Sequence, residues 1–151
     1  MNFTQKKFSL IFMLFFSLSL LAQEANNETK LLQDINSILS NSIAATTYTI
    51  SISNDDIIAN CGFKQTFPLD KIDIEKIKIK KESMQINNQG RKGNLYYLKL
   101  FSNEKGNHVV NDSFPGKVNM LLITFSHEQP ETVQKLKDLL IELVKNHIYR
   151  K

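Results

Sequence analysis

Only a few side chains in this 151-residue chain have the chemistry of nucleophiles, bases or soft metal ligands. They are one cysteine, Cys61, and three histidines, His108, His127 and His147. Cys61 follows an apolar stretch and precedes Gly62, so it lies beside a predicted turn. With a histidine close by, it would be a thiol nucleophile. The ordinary alternative is a small, half-buried hydrophobic residue at the end of a strand.

The histidines are far apart in the sequence and show none of the paired spacings that zinc sites use. His127 is followed by Glu128 just before a predicted helix, which would place an imidazole and a carboxylate at the end of a strand. A dyad of Cys61 with His108 or His127 depends on tertiary proximity. The sequence has no glycine-rich phosphate loop and no nucleophile elbow. We therefore predict no metal and no cofactor, and Cys61, His108 and His127 are the only catalytic candidates.

The second candidate site is basic. Lys76, Lys78 and Lys80 alternate with apolar residues, and Arg91 and Lys92 follow in a predicted loop. Such a row would bind an acidic partner or an anionic membrane surface. Lysines also line the wet face of edge strands, where they discourage unwanted pairing. Only two of the 19 basic residues are arginines, which argues against nucleic-acid binding.

The first 22 residues have the layout of a secretory signal peptide. Two lysines precede the apolar run 8–21, and Ala22 supplies a small residue before the polar Gln23. The run is shorter than the roughly 20 apolar residues that a spanning helix requires. No cysteine follows the predicted cut, as a lipid anchor would need. We predict cleavage between Ala22 and Gln23, with residues 23–151 exported to the periplasm or the exterior.

The exported part is predicted to be one nearly neutral domain. Two lysines leave with the leader, so the formal net charge falls from +4 to +2. Residues 23–151 are enough for a single domain with its own core and too few for two. A single cysteine excludes an internal disulfide, so this domain depends on its core for stability.

Periodicity predicts a helix followed by short strands. Asn27 is a suitable cap for a helix of about 13 residues, which ends in the polar stretch 40–42. Apolar and hydroxyl residues alternate over 47–53, which is typical of a half-buried strand. The turn 54–56 leads into the next strand, and another precedes Pro68.

The stretch 68–80 contains a change of period. Ile72 and Ile74 share one parity, whereas Ile77 and Ile79 share the other. A regular strand would point the two pairs to opposite faces, so a bulge or a short helical turn is predicted near residues 73–75.

The remaining strands are predicted at 83–86, 95–101, 108–110 and 118–125. The last of these is the most apolar, and we expect it to be central. Pro130 then begins a closing helix that carries a broad apolar stripe on one side and charges on the other.

The predicted order is one helix, about six or seven antiparallel strands and a closing amphipathic helix. This order is typical of the α+β class. The tail 120–125, a short polar gap and the helix after Pro130 resemble the end of pleckstrin-homology-like domains. That resemblance implies a curved antiparallel sheet or partly open barrel over about residues 46–148. Lipid-binding members use basic residues in an early loop, where this chain has the acidic stretch 54–56. A cystatin- or NTF2-like arrangement is the alternative fold.

The prediction for function is an exported, soluble binding module without catalytic activity, with an unknown protein or small ligand as its partner. One alternative is a small periplasmic hydrolase or thiol enzyme centred on Cys61. The other is a peripheral binder of anionic membranes that uses the basic residues together with Lys81.

Overall fold

The computed structural model describes residues 26–85, 92–113 and 115–149. Contacts between Cα atoms divide the chain into Met1–Lys30 and Leu31–Lys151. The predicted first helix is present as α1, which spans residues 26–40. The chain is already helical at residue 26, so the prediction of Asn27 as the cap was wrong. The predicted signal peptide, residues 1–22, lies outside the described residues.

Short strands dominate the described part of the chain after α1. The elements are β1 (Thr49–Ser53), β2 (Asp56–Asn60), β3 (Lys64–Pro68), the 3-10 turns η1 (Leu69–Lys71) and η2 (Ile74–Lys76), β4 (Lys78–Gln85), β5 (Lys92–Phe101), β6 (Val109–Asn111), β7 (Lys117–Val118), β8 (Met120–Phe125) and α2 (Pro130–Ile148). The α+β class and the closing helix were therefore predicted correctly.

The described strands form two open antiparallel sheets, where the sequence predicted one curved sheet or a partly open barrel. Five strands pair in the order β1-β2-β3-β6-β7, and three pair in the order β4-β5-β8. The chain crosses between the sheets after β3, β5 and β7, because β3 pairs with β6 and β5 pairs with β8. Eight strands are described, against about six or seven predicted.

The local turns follow from residue type. Asn54 and Asp55 join β1 to β2 with φ values of 52° and 66°, a conformation that Asn and Asp tolerate better than other side chains. The change of period in the isoleucines is accommodated by η2, whose cap Asp73 accepts a hydrogen bond from the Glu75 amide at 3.1 Å. The predicted short helical turn near residues 73–75 is therefore confirmed.

A single apolar core joins both sheets, α1 from Leu31 onward and α2. In β1 the apolar residues face inward and the hydroxyl residues outward, as the alternation predicted. The largest fully buried side chains are Phe67, Phe125, Ile35, Leu39, Ile50, Ile57, Leu69, Ile72, Ile77, Leu98, Leu100 and Leu121. Among the described residues, Val110 and Tyr149 are the only large hydrophobic side chains that are exposed. The described surface therefore has no broad apolar patch of the kind that marks many partner sites.

Candidate functional site

The edges of the two sheets differ in how their backbone groups are satisfied. At the outer edge of β1, the side-chain amide of Asn36 on α1 pairs with Ile50. Its Nδ2 donates to the Ile50 carbonyl at 2.8 Å, and the Ile50 N–H donates to its Oδ1 at 2.7 Å. At Ile50, Asn36 thus takes the place that a residue of a neighbouring strand would occupy.

The same device closes β8. The buried Gln65 of β3 donates from Nε2 to the Leu122 carbonyl at 2.8 Å and accepts from the Leu122 N–H at 3.1 Å. Further along, the Ser126 N–H donates to Ser42 Oγ at 2.9 Å, and the Ser126 carbonyl accepts from the Ile43 N–H at 3.1 Å. Side chains and a loop therefore cover the side of β8 that faces away from β5.

Strand β8 was predicted to be central, and this prediction was wrong. It is the outer strand of the three-stranded sheet. Its sequence is apolar because Leu121, Ile123 and Phe125 are buried at 0% exposure. It does not have a neighbouring strand on each side. Gln65 pairs with the backbone of Leu122, and Ser42 and Ile43 pair with that of Ser126, so these outward groups at the edge of β8 find partners without a second neighbouring strand.

Among the described strands, β4 is the long edge without such a cover. It has eight residues, pairs with β5 on one side and has no neighbouring strand on the other among the described strands. N–H and C=O groups of successive residues in a strand point to opposite sides. Since the Leu122 groups bind Gln65, those of Lys99, opposite Leu122, point to β4, and those of Lys78 point back to β5.

The outward backbone groups of β4 are therefore those of Ile79, Lys81 and Ser83. The neighbouring contacts agree with this alternation. Ile77, of the same parity, donates its N–H to the Ile74 carbonyl of η2 at 3.3 Å and not to β5. No backbone hydrogen bond to the outward groups of Ile79, Lys81 or Ser83 is formed by the described residues. These groups form a ready template for an added strand.

Positive charge surrounds this edge. On the outer face of the sheet, Lys78 and Lys80 lie across from Lys99 and Tyr97 of β5. Glu82 is the acidic side chain here, with Oε1 at 2.5 Å from Lys80 Nζ. The hydrogen bond from Lys80, and the charge of Lys99, lower the pKa of Glu82 below its ordinary value.

Each face of β4 carries a lysine without an acidic partner among the described residues. Lys78 and Lys81 are exposed and have no acidic partner among the described residues. Lys78 shares the outer face with Lys80, whereas Lys81 has the parity of Ile79 and projects on the opposite face. An added strand would therefore meet positive charge on both faces.

The other predicted basic residues are less directly part of this site. Lys76 is in η2 and forms an ion pair with Asp73, Nζ to Oδ2 at 2.7 Å, which lowers the pKa of that carboxyl group. Lys92 begins β5 opposite Gln85 in the register. It belongs to a strand, although the sequence placed it in a loop. Arg91 lies outside the described residues.

Cys61 follows β2 at a turn and is half-buried against the core, as the structural alternative expected. Its thiol lies beside the hydroxyl group of Tyr48, which is also close to Thr124 of β8. Burial, followed by the contact with Cys61, raises the pKa of Tyr48 to about 12. Tyr48, the residue before β1, is therefore a neutral phenol at ordinary pH, and it lies beside the end of β2 and β8.

The histidines do not join Cys61 in any hydrogen bond or ion pair of the described residues. His108 Nε2 is 4.0 Å from Glu104 Oε2, and Glu104 is paired with Lys71 at 2.6 Å. His127 follows β8, and its Nε2 is buried with no hydrogen-bond partner in the described residues. His147 Nε2 lies 3.2 Å from Asp55 Oδ1, at an angle outside hydrogen-bond geometry.

Metal-binding clusters and membrane-spanning helices are both absent from the described part of the chain. No group of three or more His, Cys, Asp or Glu side chains is arranged to hold a metal ion within residues 26–85, 92–113 and 115–149. The helices of these same ranges are too short or too polar to cross a membrane.

Comparison of the chain with protein-family models, with curated proteins and with solved structures found no match. The geometry of the sheet edges is therefore the basis for a functional assignment. Sequence reasoning identified Lys78 and Lys80 but missed Asn36 and Gln65, which decide which edges are covered. The signal for Gln65 was present, because it shares the inward parity of Phe67 in β3.

Proposed function

We propose that this protein is an exported binding module without catalytic activity, and that it binds an extended polypeptide segment along the outer edge of β4. The observation that carries the proposal is the contrast between edges. Asn36 and Gln65 pair with the backbone of Ile50 in β1 and of Leu122 in β8, whereas the outward groups of Ile79, Lys81 and Ser83 on β4 have no such partner among the described residues. In strand addition, such main-chain groups provide the affinity and the side chains on either face provide the specificity.

The length of β4 supports this mode of binding. Its eight residues exceed the five of β1 and the six of β8. Natural proteins usually shorten, cover or twist away long exposed edges, because such edges recruit other chains. A binding module needs one edge that remains accessible, and β4 fits that requirement with lysines that keep it soluble.

The location and fold family are parts of the same proposal. Support for export comes from the basic residues, apolar run and small residue within 1–22. The mass of the protein recovered from the periplasm or medium should correspond to a chain that begins at Gln23. The pleckstrin-homology-like resemblance rests on the order of helix, strands and helix, with the cystatin- or NTF2-like fold as the alternative.

Strand addition is tested with the variant Lys81→Pro and with Lys81→Ala as its matched control. The N–H of Lys81 faces away from β5, so proline there removes a donor to the partner while the ladder to β5 is kept. Both variants lose the lysine charge, but only the proline variant loses the N–H. Extended eight-residue peptides, as long as β4, are titrated against each protein by fluorescence anisotropy.

We expect the wild type and Lys81→Ala to bind such peptides and Lys81→Pro to bind them much more weakly. Hydrogen exchange of the wild type provides an independent measurement, since the amides of Ile79, Lys81 and Ser83 should become protected by the peptide. The proposal fails if peptides of every charge leave these amides unprotected, or if Lys81→Pro binds as well as Lys81→Ala.

Two other functions remain hypotheses with their own tests. A thiol enzyme would centre on Cys61, supported by the adjacent hydroxyl group of Tyr48. Unchanged thiol reactivity in Cys61→Ser would remove its basis. A peripheral membrane binder would use Lys78, Lys80 and their neighbours, and it requires salt-sensitive binding to anionic vesicles.

A further inference from the structure

We infer that the segment which binds β4 is an acidic, extended stretch of a partner protein and not a second copy of this chain. This inference rests on the proposed function, because it identifies the partner of the same edge. It is carried by charge complementarity. The edge carries Lys78, Lys80 and Lys81, and Lys99 of β5 lies opposite Lys78. Glu82 is the one carboxylate in β4, so positive charge predominates.

The register shows where the acidic side chains would lie. Residues directly opposite each other on neighbouring strands have Cβ atoms roughly 4.5–5.5 Å apart. Side chains of the added strand opposite Lys78 and Lys80 project on the outer face, two residues apart. A side chain opposite Ile79 lies between them and projects toward the other face. The pattern of acidic, apolar and acidic residues therefore matches this part of β4.

The opposite face extends the same preference. Beyond Ile79, the next residue of that parity is Lys81, which is exposed. A third acidic side chain, directly opposite Lys81, would share this face of the added strand with the apolar residue opposite Ile79. Neutral segments gain the main-chain hydrogen bonds alone, whereas an acidic segment also gains ion pairs with Lys78 and Lys81, which have no acidic partner among the described residues.

A second copy of the chain is a poor occupant for the same reason. Two β4 strands related by a two-fold axis run antiparallel, so the same surface meets itself. Centred on Lys81, that arrangement places the two Lys81 residues directly opposite each other, and Glu82 of each copy lies opposite only Lys80 of the other. Like charges placed directly opposite each other across strands are destabilising. The lysines therefore disfavour pairing of two β4 edges and favour an acidic strand at the same edge.

The test uses three eight-residue peptides that differ only in charge, matched in length to β4. They have Val at every position except the three opposite Lys78, Lys80 and Lys81, which carry Glu, Gln or Lys. The full mature protein is titrated with each peptide, from about 0.05 M to about 0.5 M salt, a range over which exposed charges become screened. We expect the Glu peptide to bind most tightly, the Lys peptide most weakly, and the advantage of Glu over Gln to shrink as salt rises.

Side-chain variants assign the effect to the edge. Lys78→Gln combined with Lys81→Gln should weaken binding of the Glu peptide by roughly two- to fivefold per lysine, the range for exposed ion pairs. Lys135→Gln combined with Lys145→Gln provides the matched control, because these exposed lysines are on α2. The control should bind the Glu peptide as the wild type does.

The outcomes separate this inference from the proposed function. Equal, salt-independent affinity for the Glu and Gln peptides, still lost in Lys81→Pro, would overturn the acidic partner and leave strand addition standing. A concentration-dependent dimer that Lys81→Pro abolishes would identify a second copy as the occupant, which also overturns the inference. If Lys81→Pro binds all peptides as Lys81→Ala does, strand addition itself is wrong.

Discussion

The replacement of Gln65 by methionine is the sharpest test of how the edge of β8 is closed. Methionine keeps the length and the unbranched shape of the side chain but removes the amide. Gln65 is 5% exposed, and both of its hydrogen bonds go to the backbone of Leu122. Leaving one buried polar group unpaired costs roughly 1–3 kcal/mol. With two such groups, Gln65→Met should lower the free energy of unfolding by about 2 to 6 kcal/mol.

Urea denaturation followed by circular dichroism measures this loss. For small domains the slope is roughly 1–3 kcal/mol per molar urea, so the midpoint should fall by about 1 to 2 M. The matched control is Asn36→Leu, which removes the equivalent pair of bonds to Ile50 at a half-buried position. Water can replace that amide, so a loss of about 1 kcal/mol is expected. Equal losses in the two variants would refute the idea that Gln65 satisfies an otherwise sealed edge.

A second substitution at the same position separates hydrogen bonding from packing. In Gln65→Glu, an ionised carboxylate accepts from the Leu122 N–H but opposes the Leu122 carbonyl. The protonated acid restores the donor, so folding raises the pKa of this carboxyl group above its unfolded value of about 4.3. The folded variant then takes up a proton before the unfolded chain does. Its stability relative to wild type should therefore rise as pH falls from neutrality to about 4. A difference that stays constant with pH would contradict this account.

Three further substitutions test other parts of the structure. Burial and the contact with Cys61 raise the pKa of Tyr48 from 10.0 to about 12, so the wild type should lose about 2 to 3 kcal/mol of stability between these pH values. Tyr48→Phe should be about 1 kcal/mol less stable than the wild type at neutral pH but should show no such loss between these pH values in urea titrations. If the stabilities of the two proteins changed with pH in parallel, the raised pKa of Tyr48 would be contradicted. Gly62 has a φ of +99°, and a Cβ added there would have no atom within 4 Å. Gly62→Ala should therefore lower the free energy of unfolding by about 1 kcal/mol through backbone strain alone. An unchanged melting temperature would contradict this expectation. Glu82→Gln removes the carboxylate among the lysines of β4 and should tighten binding of the Glu peptide about two- to fivefold, whereas weaker binding would show that Glu82 positions Lys80.

Much of the secondary structure was predictable because it depends on neighbours in sequence. Alternation in residues 47–53 predicted the faces of β1, and the period change among the isoleucines predicted η2. The helix that begins at Pro130 was confirmed, with its apolar stripe buried. These patterns report which side of an element is buried, and that property is encoded within a few residues.

The candidate site was only partly predictable. The lysines at 78 and 80 were identified as the wet face of a strand or a binding row, but nothing in their spacing shows that β4 is an edge. The position of β8 was predicted incorrectly for a related reason. Hydrophobicity signals buried faces, whereas the edges of a strand are satisfied by partners that the local sequence does not contain.

The sequence by itself determined the elements of this protein, the charge of its lysine-bearing strand and the N-terminal pattern that predicts export. Each of these depends on residue types within a short window. Only the tertiary structure decided which sheet edges pair with other described residues and which have no such partner among them. Gln65 closes β8 across 57 residues of chain, and Asn36 reaches β1 from a helix. Such contacts form because buried backbone groups must find partners, and the fold alone determines which side chains are within reach.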